Sequence, residues 1–269
     1  MNTASNSIGP LIREWRRRRS LSQLALAAEA EVSQRHLSFI ESGRSVPSRD
    51  MVIRLSERLS VPMRERNKLL VAAGFAPVYR ERAADDPELH AAHSAVERIL
   101  KGHEPFPALA VDRHWTLVYA NRMVPQLLEG VDESLVQTPA NVLRLSLHPQ
   151  GLASRIVNFR EWREHILVRL ANQIDITADS ALMTLQEELK AYPMPPGAKP
   201  FRPSEQSTYG KIAVPLQIST GLGVLSLIST TTVFGTALDI TMSELAIESF
   251  FPADEATADR LADLYRAAN

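Results

Sequence analysis

The chain has no cysteine among its 269 residues, which excludes disulfides and thiolate metal sites and removes one nucleophile from any enzymatic reading. A reducing cytoplasm is the simplest compartment for such a chain. It also has no long apolar run: mean hydropathy is −0.12, and every hydrophobic stretch stops well short of a membrane span. No membrane partner is expected. The opening MNTASNSIGP is polar, and no apolar stretch follows the basic residues behind it, so neither a signal nor a transit peptide is expected. Internal repeats and low-complexity tracts are absent too. The strings G-x-S-x-G, H-E-x-x-H and GxxxxGK[ST] do not occur, so catalysis has no sequence support and no cofactor is called for.

What is present divides in two. At roughly 100 to 200 residues per domain the length suggests a pair of domains, and charge marks where they part. Residues 1–82 carry 15 Lys and Arg against 8 Asp and Glu, whereas the remainder carries 15 against 23. The net charge of −1 therefore conceals a basic head on an acidic body. A basic head is the electrostatic footprint of a polyanion-binding module, and an acidic body keeps the rest of the molecule off the same phosphates. The segment 83–94, AADDPELHAAHS, reads as a linker that enters a helix, leaving 95–269 as the second domain. The expected class is α+β: five short helices first, then a mixture of strands and helices.

In the head, Ile8–Arg18 reads as a helix with Leu11, Ile12 and Trp15 on one stripe and most of the run Arg16–Arg19 solvated. Ser22 caps a second helix, whose small Ala27 suits a close helix crossing. After a three-residue break Ser33 caps a third, with Leu37 and Ile40 inward, Gln34, Arg35 and Ser38 outward, and Gly43 able to end it in the left-handed conformation. Two short helices so tightly joined form a helix-turn-helix, whose second helix can enter the major groove by its N-terminal residues.

The stretch LSQLALAAEAEVSQRHLSFIESGRSVPS resembles the helix-turn-helix domain of XRE (phage repressor and Cro-like) regulators, through Gln23, Ala27, Val32, Leu37, Ile40, Glu41 and Gly43. The resemblance covers about residues 8–75. It departs at Glu31, where the family commonly has glycine; a left-handed residue there carries a Cβ penalty of roughly 1 kcal/mol. The resemblance implies that Gln23, Arg44 and Arg49 hold phosphates of double-stranded DNA, that Ser33, Gln34, Arg35 and Ser38 face base edges, and that Glu41 pairs with Arg16. It also fits a homodimer on a palindromic operator, with half-sites roughly 34 Å apart, and a location on the nucleoid.

In the body, ALAVDRHWTLVYAN reads as a strand pair around Asp112-Arg113 and KIAVPLQISTGLGVLSLISTTTVF as a hairpin turning at Thr220 to Gly223. Residues 152–190 read as two helices broken near Asn172 to Asp179, and Ala191 to Thr208 as a Pro-rich loop, a connector or a cover for a pocket. His90 and His93 lie at i and i+3 on a helix and could share a metal, but no carboxylate stands at ligand spacing; a solvated face is the plainer reading. The glycines of Gly221-Leu222-Gly223 belong to the hairpin turn.

The tail SLISTTTVFGTALDITMSELAIESFFPADEAT, together with FPALAVDRHWTLVYAN, resembles the ligand-binding domain of MmyB-like transcription regulators, a PAS-like fold. That resemblance implies a five-stranded antiparallel sheet with helices on one side, enclosing an apolar cavity for a small, fatty-acid-like molecule held non-covalently. Trp115, Leu117, Tyr119, Ile212, Val214, Leu225, Leu227 and Phe234 are then either walls of that pocket or plain sheet core. A ligand carboxylate would need a donor, for which Arg144, His148, Arg155 and Arg169 are candidates. The reading is a ligand-sensing regulator rather than an enzyme. The alternatives are a body that only dimerises or binds a partner, and an enzyme fused to a DNA-binding head.

Overall fold

The computed structural model describes residues 7–83, 86–198, 213–235 and 239–268. They form two compact units, the first comprising the described residues up to Glu81 with residues 173–178 and a short stretch ending at Ile240, the second comprising the rest.

The first unit has five helices: α1 (Ile8–Arg18), α2 (Gln23–Glu29), α3 (Gln34–Glu41), α4 (Arg49–Arg58) and α5 (Met63–Ala72). Serines start three of them. The hydroxyls of Ser22, Ser33 and Ser48 accept from the backbone N–H groups of Ala25, His36 and Met51 at 3.0, 3.1 and 3.3 Å, satisfying donors that the first turn leaves unpaired. Left-handed residues end them. After α2, Glu31 (φ 57°) donates to Ala28 O and Val32 to Ala27 O; after α3, Gly43 (φ 74°) donates to Ile40 O and Arg44 to Phe39 O. Both are Schellman closures, and the first holds a residue with a Cβ where glycine is usual.

Around these turns Ile12, Trp15, Leu26, Ala27, Leu37, Ile40, Leu55 and Leu69 make one buried cluster. Helices α1 and α3 approach so closely that a Cβ on Gly9 would lie 2.4 Å from Ile40 O. Only part of the arginine run is solvated. Arg16 turns inward to Glu41 and Arg19 donates to Leu59 O at 2.9 Å, leaving Arg17 and Arg18 exposed.

In the second unit, α6 (His90–Gly102) leads into β1 (Ala108–Val111) and β2 (Leu117–Ala120). Helices α7 (Met123–Leu127), α8 (Glu133–Val136), α9 (Val142–Leu147), α10 (Phe159–Thr177) and α11 (Ser180–Ala191) follow. The chain returns as the hairpin β3 (Leu216–Thr220) and β4 (Gly223–Val233), then α12 (Ile240–Ser243), β5 (Ala246–Pro252) and α13 (Glu255–Ala267). All pairings are antiparallel, in the order β2-β1-β5-β4-β3.

Strand alternation gives the sheet two apolar faces, and helices cover both rather than one. Ala108, Ala110 and Ile247 pack with Val96 and Leu100 of α6 on one face. Leu109, paired with Glu248, points to the other. The two histidines of α6 part here: His93 sets its ring against Tyr119, with centroids 5.7 Å apart, while His90 is exposed.

A β-bulge decides what β2 offers each face. Tyr119 pairs with Ala110 but Leu117 pairs with Val111, so Val118 is an extra residue. Leu117 and Tyr119, two apart in sequence, consequently leave the sheet on opposite sides.

Candidate functional site

Helix α3 presents its first turn to solvent. Ser33, Gln34 and Arg35 are exposed, Ser38 is half-buried one turn later, and Arg44 and Arg49 are exposed beyond the helix. A side chain not singled out in the sequence organises this face. The Phe39 ring meets the guanidinium of Arg35 at 5.4 Å and of Arg44 at 5.9 Å, gathering one cation from each expected role at a single aromatic ring. Its i, i+4 spacing from Arg35 is visible in the sequence.

Behind the face stands a buried carboxylate. Glu41 is 2% exposed and takes Arg16 in a two-pronged pair at 2.6 and 2.9 Å, while Arg13 approaches its Oε2 at 3.5 Å. Gln23 donates from Nε2 to Glu41 Oε2 at 2.8 Å, so one of its amide hydrogens is directed into the fold. Burial pushes the Glu41 carboxyl upward, but Arg16, Gln23 and Arg13 together outweigh it and leave it below its ordinary value.

The second unit holds an apolar cavity of about 110 Å³ between the Leu109 face of the sheet and the helices over it. Leu109, Leu117, Leu216, Ile218 and Phe250 form the strand wall; Leu143 and Leu145 of α9 and Trp162 and Ile166 of α10 form the helix wall. Trp115 closes one end from the β1–β2 turn. That turn is fixed by Asp112, whose Oδ1 accepts from the backbone N–H of His114 and of Thr116 at 2.8 Å each. It places Trp115 at φ 66°, a conformation a bulky residue rarely takes, with the residue 7% exposed. Backbone strain of this kind tends to be held where a side chain is needed for function.

Few polar groups face this space. Arg169 and Glu248 form a two-pronged ion pair at 2.9 and 2.5 Å; Arg169 also donates to Thr231 Oγ1, and the Thr231 hydroxyl donates to Glu248 Oε1 at 2.9 Å. The same guanidinium lies 4.6 Å from the Trp115 ring centroid. Trp162 donates from Nε1 to Ser146 Oγ at 2.9 Å and stacks on His165, whose imidazole is pushed below its ordinary value by burial first and by Arg169 second.

Of the side chains the sequence marked for this pocket, Trp115, Leu117 and the donor candidate Arg169 line it. The others lie elsewhere. Tyr119 is carried by the bulge to the opposite face, where it and Phe234 pack against the α6 cluster. Leu225 and Leu227 are buried opposite Ile218 and Leu216 without reaching the cavity, and Val214 is half-buried ahead of β3. Arg144 is not a wall residue: it pairs with Glu188 at 2.8 and 2.7 Å, in a cluster with Tyr192, whose phenol burial and Glu188 push up to about 12.

His148 stacks edge-on against Tyr192, and Arg155 ties Leu127 O, Glu129 O and Ser219 O together. Ile212 and residues 199–208 of the Pro-rich loop lie outside the described residues. Sequence reasoning missed Ser146, Trp162, His165 and Ile166. The signal was the helical spacing of Phe159, Trp162 and Ile166, which marks the inner face of α10.

A recognition helix on a basic unit and an apolar cavity in an acidic one define a class: DNA-binding transcription regulators that carry a ligand-binding domain. Residues 12–66 match the helix-turn-helix family model, of XRE type, and residues 92–264 match the model of the MmyB-like transcription regulator ligand binding domain. The chain belongs to the MmyB-like transcription regulators. No match is found among curated proteins. One similar solved structure is described as that of an RNA-binding light-oxygen-voltage receptor; it is 13% identical, with a TM-score of 0.29, over 97% of this chain and 64% of that one. The present chain thus spans less than two thirds of that receptor's length, and so slight a likeness says nothing of ligand or partner here. Among the described residues no helix is long and apolar enough to cross a membrane.

Proposed function

We propose that this regulator reads a specific operator with α3 and that its second domain, PAS-like in character, senses a small apolar molecule held non-covalently, with no other cofactor. The fatty-acid-like class is the starting expectation for that molecule. The observation carrying the reading is the apolar cavity lined by Trp115, since a sheet and helices that served only to dimerise would have no need of a strained tryptophan facing such a space. The protein works in the cytoplasm, on the nucleoid, without chemistry on its ligand.

At the DNA, Ser33, Gln34, Arg35 and Ser38 read base edges while Gln23, Arg44 and Arg49 hold phosphates. Arg pairs with guanine O6/N7 and Gln with adenine N6/N7 in the major groove. A single module of this kind buries little surface, so the working species is a homodimer on an approximate palindrome with half-sites roughly 34 Å apart.

The test is a pair of substitutions measured on a selected operator and on random duplex. Arg35→Ala relaxes preference at one base pair by about 1 to 3 kcal/mol; Arg44→Ala weakens binding to every sequence alike and lowers the salt slope by about 1. Equal effects of both changes on specific and random DNA would refute the assignment of roles.

A further inference from the structure

Phe39 is a large apolar side chain on the DNA-reading helix that is not spent on the core of its own unit. Among the described residues, Leu11, Leu21, Val32 and Phe75 are half-buried and pack against that core, whereas Phe39 is half-buried without joining them. Its ring meets the guanidinium groups of Arg35 and Arg44 instead. The Phe39 carbonyl accepts from the backbone N–H groups of Arg44 and Ser45 at 2.8 and 3.2 Å, which fixes the loop carrying Arg44 against the helix. The ring is thus held in place with part of its apolar surface still facing water, and covering that surface is favourable.

The neighbours of the ring say which group of the DNA can cover it. At about 3.6 residues per turn, Phe39 follows Arg35 by one turn and stands next to Ser38. Arg35 and Ser38 are assigned to base edges and Arg44 to a phosphate, so the ring stands between the groove floor and the backbone. The apolar group that the major groove presents there is the C5-methyl of a pyrimidine, which projects from the base edge toward its own strand. Base pairs are about 3.4 Å apart along the duplex, and the ring centroid is 5.4 Å from the Arg35 guanidinium. The ring therefore falls one or two base pairs from a guanine held by Arg35.

We propose, building on that assignment of α3, that Phe39 is a base-reading residue: its ring takes the C5-methyl group of a pyrimidine within two base pairs of the guanine that Arg35 reads. Loss of that methyl leaves the ring facing water and costs about fourfold in affinity per half-site, the worth of one buried CH₂. Thymine and 5-methylcytosine carry the same group at C5. An operator with cytosine at that position is consequently bound more tightly once the cytosine is methylated, which makes occupancy responsive to the methylation state of the DNA.

Filter binding at fixed salt with the full-length protein tests this. An operator is selected from random duplex, and in one half-site each thymine in turn is replaced by deoxyuridine and each cytosine by 5-methylcytosine, changes that remove or add only the methyl group. One position, within two base pairs of the guanine whose preference Arg35→Ala relaxes, should favour the methylated base by about fourfold, and Phe39→Ala should abolish that preference. Phe39→Leu, which keeps an apolar side chain but offers no ring to the two guanidinium groups, should keep a preference of at least about twofold. Each preference compares two duplexes on one variant, so a fold defect, which weakens both alike, cannot imitate its loss.

A wild type with no methyl-sensitive position overturns the proposal, and so does a preference that persists in Phe39→Ala or disappears in Phe39→Leu. If any of these occurs while Arg35→Ala and Arg44→Ala separate as described above, the assignment of α3 stands without it. If selected and random duplex bind alike, both fall.

Discussion

Glu31 shows how much a single backbone angle decides. Its φ of 57° closes α2 and sets the angle at which α3 leaves, in a place where glycine would be free of the Cβ contact. The departure from the family pattern was visible in the sequence, and the turn forms all the same. Glu31→Gly should therefore stabilise the protein by up to about 1 kcal/mol, read from urea midpoints, without changing operator preference. A loss of stability would mean that the Glu31 side chain contributes more than its conformation costs. Glu41 carries the pH dependence of the same unit. Its folded value lies below its unfolded one, so its contribution is fully present above the unfolded carboxylate range and is lost as pH falls through the lowered folded value. Urea unfolding across that acid range should show a steeper fall for the native protein than for Glu41→Gln, and parallel curves would contradict the assignment.

Among the elements, α3 and β2 mark where reading the sequence succeeded and where it stopped. The helix start at Ser33 and its end at Gly43 follow from local chemistry, because caps and turns are written within a few residues of where they act; the Glu41–Arg16 pair joins separate helices and was legible only through the family resemblance. The hairpin between β3 and β4 and the break between α10 and α11 were legible for the same reason. The faces of β2 were not, since a bulge depends on the partner strand, and nothing within LVYA announces that Val118 is the extra residue. Pocket membership failed likewise for Leu225 and Leu227. Alternation gives the correct face, while the depth of packing across the sheet decides which residue meets empty space. Phe39 belongs to this scale too, as it joins two cations that sequence assigns to separate roles. Phe39→Ala should lower specific operator affinity by about 1 to 2 kcal/mol, from two exposed cation–π contacts of about 0.5 to 1 kcal/mol each. Filter binding on operator and random duplex will check it, and an unchanged affinity on both would show that the ring serves only the fold.

For the whole molecule, the charge division near residue 82 and the two family matches tell one story: a basic reader joined to an acidic sensor. A ligand can act on the reader only by preferring one state of the protein over another, and it shifts operator affinity by no more than that preference. Coupling of about 1 to 3 kcal/mol, the usual allosteric range, corresponds to roughly 5- to 150-fold in affinity. The most direct test is an operator titration of the full-length protein with and without the small molecule extracted from it, at fixed salt. The account predicts a shift of operator affinity within that 5- to 150-fold range. A ligand that binds the protein yet leaves operator affinity and half-site spacing preference unchanged would contradict it, and would make the second domain a dimerisation module instead.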